Sequence, residues 1–538
     1  MKFGFIIDNR KCIGCHACTT ACKAEHMVPV GVNRTYVKYV EKGKFPDTRR
    51  LFSVMRCNHC TNAPCVTICP VEALFIRQDG IVDFNNKRCI GCKSCMQACP
   101  YDALYIDPNT STAAKCNYCA HRVDVGLEPA CVNVCPEHAI ISGDMHNPNS
   151  EISQLLARQQ VTVRKPEKGT KPNLFYIDGD QASLDPLVTP KSVNTLWSNQ
   201  ARGVGHFAKK TEKLAFTGED VVFAAMAGTA VPTADIQQNG ADKSIDVLMN
   251  GATRNYDQPD KGILWGWEVS GYVVTKAIST GVILVMLMAY FGGFAEVTTA
   301  NTWWGYLASL FFLTATGALL VKDLDQPTRF LSVLLRPQWG SWLVRGGYSI
   351  TIFGGLVSLV MASKYFELGL DTYVNGLLGV FAIIVAIYTA FLFAQAKGRD
   401  FWQSPSLALH MLLHSVMAGA AFFAIISLFV DAGANWLPFL RNVMVGTIVL
   451  NLFTLIIEMT ITHPTEAAKE TVHMILNGRY KNSFWGGVVL FGNILPLAML
   501  LFAQAVNPIL PIVGIILLIG SYLTEKIWVE APQRMPLT

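Results

Sequence analysis

Sixteen cysteines crowd into the first quarter of the chain, in four runs. Cys12, Cys15, Cys18 and Cys22 follow C-x2-C-x2-C-x3-C, and Cys89, Cys92, Cys95 and Cys99 repeat that spacing before Pro100. Cys57, Cys60, Cys65 and Cys69 follow C-x2-C-x4-C-x3-C-P, and Cys116, Cys119, Cys131 and Cys135 follow C-x2-C-x11-C-x3-C-P. Four thiolates hold one iron–sulfur cubane. Three closely spaced cysteines on a tight loop serve one cluster, and the fourth, just before proline, serves the other cluster of a pair. Four quartets with no cysteine left over predict four [4Fe–4S] clusters in two pairs. A disulfide framework suits a small secreted domain, and structural zinc takes two CxxC pairs per ion without the x2-x2-x3 rhythm or the trailing proline. Gly14 and Gly91 sit inside the loops, where backbone bends close to sulfur.

The rest of the chain holds no cysteine and has a different composition. Of 538 residues, 51% are hydrophobic and 15% charged, well below the charged share of about 25% in soluble domains. This excludes a fully soluble or a disordered protein, and a net charge of +5 gives no sign of nucleic-acid binding. From Trp265 onward eight apolar stretches reach spanning length, near 268–292, 302–321, 342–362, 373–395, 407–430, 440–460, 484–506 and 508–525. The last two are split only by Val506-Asn507-Pro508. Residues 191–260 read as a linker with turn signals, whose apolar run Val221 to Val231 is too short to span a bilayer.

Lysine and arginine set the expected orientation. Connections on the side of the cysteine-rich domain carry Arg254, Lys261, Lys322, Arg329, Arg336, Lys397, Arg399, Lys469, Arg479, Lys481, Lys526 and Arg534, against Lys364 and Arg441 on the other side. Cytoplasmic loops carry the excess. The first motif also begins almost at once, with no twin-arginine or apolar leader. The expectation is an inner-membrane protein with its clusters on the cytoplasmic side.

All sixteen cysteines, their order and the x11 insert make residues 1–190 resemble the four-cluster iron–sulfur subunit of molybdopterin oxidoreductases of the polysulfide and dimethyl-sulfoxide type. The resemblance implies crossed ligation. Cys12, Cys15, Cys18 and Cys135 hold one cluster, and Cys116, Cys119, Cys131 and Cys22 its partner. Cys57, Cys60, Cys65 and Cys99 hold the third, and Cys89, Cys92, Cys95 and Cys69 the fourth. Residues 261–538 resemble the NrfD-type membrane anchor through Trp265-Gly266-Trp267, Lys322-Asp323-Leu324-Asp325-Gln326-Pro327, Phe401-Trp402-Gln403-Ser404-Pro405 and Gly492-Asn493-Ile494-Leu495-Pro496. That family exchanges electrons with quinone and carries no haem. His410 and His414, the only histidines within the spans, lie one turn apart on one helix and do not bracket a haem.

The expected architecture is an α+β bacterial-ferredoxin-like domain with four cubane clusters, followed by an all-α bundle of eight transmembrane helices. The expected function is electron transfer between a molybdopterin-type catalytic subunit and menaquinone or ubiquinone in the membrane lipid, within a respiratory oxidoreductase. A hydrogenase or a multihaem-linked quinol complex is the alternative setting. A transporter with a regulatory cluster domain is a third, and no clear repeat among the spans favours it. Ionisable residues inside a bilayer are costly and mark function, which picks out Glu268, Lys276, Arg345, His410, His414 and Glu458, with Asp323 and Asp325 at the mouth. Histidine suits donation to a quinone carbonyl, with Lys276 as a second polar contact and Asp323 or Glu268 as proton exchangers. The pocket is expected in the cytoplasmic half, between the first, second, third and fifth spans.

Overall fold

A computed structural model describes residues 1–44, 46–189, 252–258, 261–430, 433–502 and 508–538. Most of the expected linker, including the Val221 to Val231 run, and the Val506-Asn507 break lie outside the described residues.

The cysteine-rich domain is built from short strands. Phe3–Asp8 lies inside a four-stranded sheet, antiparallel to Ile140–Asp144 and parallel to Leu174–Ile177, with Val161–Thr162 at the far edge. Phe5, Ile6 and Ile7 are all buried, as befits a strand covered on both faces. Thr35–Lys44 and Asp47–Arg56 form a long hairpin. Thr253–Tyr256 adds a third strand to it, so this part of the expected tether is structured and belongs to the cluster domain's sheet. Two further hairpins, Leu74–Ile76 with Val82–Phe84 and Leu104–Asp107 with Thr112–Lys115, follow directly on Cys69-Pro70 and Cys99-Pro100. Proline cannot continue the short helix before it, so the chain turns out of the cluster loop into a hairpin.

Among the described residues eight helices are long and apolar enough to cross a membrane: Trp267–Gly292, Thr299–Lys322, Trp342–Tyr365, Tyr373–Gln395, Ser406–Ile426, Trp436–Thr460, Ser483–Phe502 and Leu510–Arg534. The first span is central and packs on the second, fourth, fifth and eighth. It meets the fifth where Gly281 faces Gly419, and a Cβ on either glycine would run into the backbone of the other helix. Small residues let helix backbones approach this closely without a hydrophobic driving force. One expectation needs correction: the eighth helix continues past 525 to Glu530, so Lys526 lies on the helix rather than in a loop. Leu510 to Lys526 reads as apolar punctuated by a charge, but Ile527, Trp528 and Val529 behind it are buried and carry the helix on.

The cluster domain sits on the end of the bundle that carries the lysine- and arginine-rich connections. Arg329 donates to the carbonyls of Asn86 and Cys89, each at 2.9 Å. Ser341 Oγ donates to the carbonyl of Ile68 at 2.7 Å, and Arg399 Nε donates to Gln97 Oε1 at 2.8 Å. Gln533 closes the seam, accepting from Gln97 Nε2 at 2.5 Å and from the backbone N–H groups of Leu264 and Trp265 at 2.9 Å.

Candidate functional site

The sixteen cysteines are free thiols, and sulfurs such as those of Cys65 and Cys95 lie within electrostatic reach of several others, where a disulfide would join each to one. The neighbours cross between motifs. Cys135 faces Cys12, Cys22 faces Cys116 and Cys131, Cys99 faces Cys57, Cys60 and Cys65, and Cys69 faces Cys89, Cys92 and Cys95. Backbone N–H groups point at the sulfurs. Ala73 donates to Cys69 at 3.2 Å, Gly91 and Ala113 to Cys89 at 3.4 Å, Tyr118 to Cys116 at 3.4 Å and Ala139 to Cys135 at 3.2 Å. Burial pushes the thiol of Cys57 up to about 11 and that of Cys92 up to about 12. Thiols packed this way become thiolates only with cations among them. Convergent sulfurs ringed by N–H donors fit anionic iron–sulfur clusters.

The quartets also touch in sequence. Cys18 faces Cys131, Cys57 faces Cys116, and Cys95 faces Cys65. The line therefore runs from the Cys12 quartet, where Cys15 is exposed, through the Cys22 and Cys57 quartets to the Cys69 quartet at the membrane seam. At the seam Gly91 adopts φ +72°, and a Cβ there would lie 2.6 Å from Cβ of Asp325. Glycine thus allows the cluster loop to rest on the bundle. Lys93 donates to the carbonyl of Asp323 at 3.0 Å and pairs with the carboxylate of Asp325 at 3.3 Å. The indole of Trp265 donates to the carbonyl of Cys92 at 3.1 Å.

A cavity of about 170 Å³ opens directly beneath this loop. Cys92 forms its roof, and Trp265, Tyr272, Asp323, Gly347 and Tyr388 contribute to its walls. Burial pushes the carboxyl of Asp323 up to about 7, against the pull of Lys93. The walls come from the first, second, third and fourth spans. The fourth takes the place expected for the fifth because the fifth packs behind the first at the Gly281–Gly419 crossing.

Of the residues expected in the pocket, Asp323 alone lines the cavity. Lys276 lies one turn below Tyr272, buried, donating to Thr389 Oγ1 at 2.7 Å and to the carbonyl of Ala386 at 2.9 Å, with its ammonium 4.8 Å from the ring centre of Tyr388. His410 and His414 lie behind it, converging on Glu525: Nδ1 of His414 is 2.8 Å and Nε2 of His410 3.4 Å from the same carboxylate oxygen. All three are buried, and Glu525 is within electrostatic reach of Lys276 and Tyr272. Glu458 is buried beside Trp528 and Ser406. Glu268 and Arg345 do not line the cavity. Glu268 lies 4.0 Å from Lys322. Arg345 is exposed, donates to the carbonyl of Trp339 at 2.8 Å and covers the ring of Trp342.

Trp265, Tyr272 and Tyr388 carry no charge, so a search for costly ionisable groups passes over them. The Trp265-Gly266-Trp267 motif is the one signal that points to the first. Glu525 is hidden in the sequence because the apolar run looks finished there.

Two family descriptions match the sequence: a 4Fe-4S dicluster domain over residues 48–145, and polysulphide reductase, NrfD, over residues 257–527, half of the chain. The N-terminal part is 46% identical over 191 residues to the B subunit of tetrathionate reductase from Salmonella typhimurium, covering 35% of this chain and 76% of that protein. It is 42% identical over 187 residues to the B component of polysulfide reductase from Wolinella succinogenes, covering 34% of this chain and 98% of that one. It is 35% identical over 230 residues to a putative dimethyl sulfoxide reductase iron-sulfur subunit of Halobacterium salinarum, covering 37% and 88%. The chain is thus a multi-pass membrane protein that belongs to the NrfD polysulphide reductase family, with an iron–sulfur electron-transfer subunit of the polysulfide reductase type fused ahead of the anchor.

Proposed function

We propose that this chain is the electron-transferring, quinone-reactive membrane subunit of a respiratory oxidoreductase, with four [4Fe–4S] clusters in a domain at 1–190, a linker at 191–260 whose strand Thr253–Tyr256 returns to the cluster domain's sheet, and the anchor at 261–538. The observation that carries the reading is a shared wall: Cys92, a cluster-type cysteine, and Tyr272 and Tyr388 line one cavity. Bound clusters supply one-electron transfer, and menaquinone or ubiquinone supplies the exchange of two electrons and two protons. The chain's own residues do the rest. Apolar walls such as Val269, Leu320 and Leu343 accept a ring and tail. Tyr388 or Tyr272 donates to a carbonyl oxygen, and Lys276 holds Tyr388 and Thr389 in place from below. Asp323 at the mouth exchanges protons with the aqueous side. His410, His414 and Glu525 hold a proton behind Lys276, one step removed from the direct donation expected of the histidines.

The far end of the line, at exposed Cys15, is where a catalytic subunit docks. The relatives named as subunits of tetrathionate, polysulfide and dimethyl sulfoxide reductases support such a partner, which we assign to the molybdopterin class. The lysine- and arginine-rich end of the bundle supports a cytoplasmic cluster domain. The test is made on the purified assembly. Molybdenum should copurify, and quinol should reduce the clusters in wild type but not after Tyr388→Phe combined with Tyr272→Phe, while a soluble dye reduces them in both. Nickel in place of molybdenum would reassign the partner, and unchanged quinol reduction in the double variant would remove the site from this cavity.

A further inference from the structure

The four quartets differ in what reaches their sulfurs. Among the described residues, sulfurs of the Cys12 and Cys69 quartets accept hydrogen bonds from backbone N–H groups, and no cationic side chain donates to a sulfur of the Cys12, Cys57 or Cys69 quartet. The cations near the last two are engaged elsewhere. Lys115 donates to the carbonyls of Val82 and Cys116, and Arg329 to those of Asn86 and Cys89. The Cys22 quartet is different. Arg56 Nη1 donates to Sγ of Cys131 at 3.1 Å, and Nε2 of His26 lies 3.2 Å from Sγ of Cys119. Arg34 and Lys23 lie within electrostatic reach of Cys22.

Arg56 is the informative group. It ends the strand Asp47–Arg56, one residue before Cys57, and is 2% exposed. Its guanidinium lies 4.5 Å from the ring centre of Phe5. No carboxylate pairs with it among the described residues, and its strongest opposite neighbours are the sulfurs of Cys131, Cys116 and Cys18. Nε and Nη2 have no hydrogen-bond partner among the described residues. A buried guanidinium with two idle donor groups is costly unless something anionic accepts them. The sulfides of a cluster held by the adjoining cysteines are acceptors of that kind.

We propose that Arg56 gives the cluster held by Cys22, Cys116, Cys119 and Cys131 the highest reduction potential of the four, making the second station of the line an electron store. This rests on the crossed grouping of the cysteines. Reducing a four-thiolate cluster by one electron adds one negative charge to an already anionic group. A fixed, desolvated positive charge at hydrogen-bond distance stabilises the reduced state more than the oxidised one. Arg56 does this without gaining or losing a proton. A store suits the chemistry, because quinone exchanges electrons in pairs while the line carries them singly.

The test is a redox titration of the complete membrane-bound assembly, followed by electron paramagnetic resonance, on wild type, Cys119→Ser, Cys22→Ser, Arg56→Gln, Arg56→Lys and His26→Gln. In wild type the signal with the highest midpoint should be the one that Cys119→Ser alters. Arg56→Gln should shift that midpoint downward and leave the signals of the Cys57 and Cys69 quartets in place. Arg56→Lys keeps the charge and loses the fork, so its shift should be smaller, and that of His26→Gln smaller again. An unchanged midpoint in iron-replete Arg56→Gln overturns the proposal. So does assignment of the highest wild-type signal to any other quartet, which needs no Arg56 variant to load its clusters. If Cys22→Ser alters the signal of the Cys12 quartet and not the one that Cys119→Ser alters, the crossed grouping itself fails.

Discussion

The cluster domain and the membrane bundle place their functional atoms by different means. In the cluster domain three sulfurs of each quartet come from one short stretch of chain, of at most sixteen residues, and backbone N–H groups reach several of them. In the bundle each wall of the cavity comes from a different helix, and Trp265, Asp323, Gly347 and Tyr388 are far apart in the sequence. The first arrangement resists drift because its geometry is local and because bound metal contributes to folding. The second depends on helix crossings, such as Gly281 on Gly419, that no single segment controls. Loss of one atom should therefore be severe in the first region and graded in the second.

The largest effect is expected from Cys22→Ser. Crossed grouping makes Cys22 a ligand beside Cys116, Cys119 and Cys131, so the variant should hold clearly less than the ~16 iron atoms of four cubanes. Electron transfer between the distal end and quinone should cease, as read by iron and sulfide analysis and by quinol-dependent dye reduction. Damage confined to the Cys12 quartet would break the crossed arrangement. In the bundle, Tyr388→Phe should keep every cluster and lower quinone turnover about tenfold, the worth of one hydrogen bond of ~1.4 kcal/mol. Normal turnover and unchanged inhibitor sensitivity would place the quinone elsewhere.

The seam tests the link between the regions. Gly91→Ala places a Cβ against Asp325 at a backbone conformation that costs L-residues ~1–2 kcal/mol. The expected result is slower quinol oxidation with dye reduction preserved, because the cluster loop lifts from the cavity. Equal loss of both activities would instead mean that the loop no longer holds its cluster. The smallest effect is expected from Arg345→Ala. Its guanidinium is exposed and covers Trp342, so quinone turnover should change less than about twofold, as for most surface substitutions. A large loss would return Arg345 to the site.

Much of this molecule is legible from residue spacing. The cysteine runs and their prolines identify cluster loops because ligation there is a matter of a few residues on one turn. The spans are legible within a few residues because a bilayer imposes a minimum apolar length whatever the fold. The eighth helix reads as cut short at Glu525, since the adjacent charges Glu525 and Lys526 look like an end until the partners that bury Glu525, His410 and His414, are in view.

The cavity is decided only by tertiary structure. Charge points to residues for which burial is costly, and two of them, Glu268 and Arg345, stay partly exposed and do not line the cavity. Nothing in a hydropathy pattern says which face of a helix turns inward, so the fourth span and Tyr388 look the same as lipid-facing apolar sequence. Their facing follows from the packing of the first span against its neighbours and from the cluster loop resting on Asp323 and Asp325. Spacing along one segment is a local constraint and survives in the sequence. Depth and facing arise from contacts between segments, and exist only once the helices have packed.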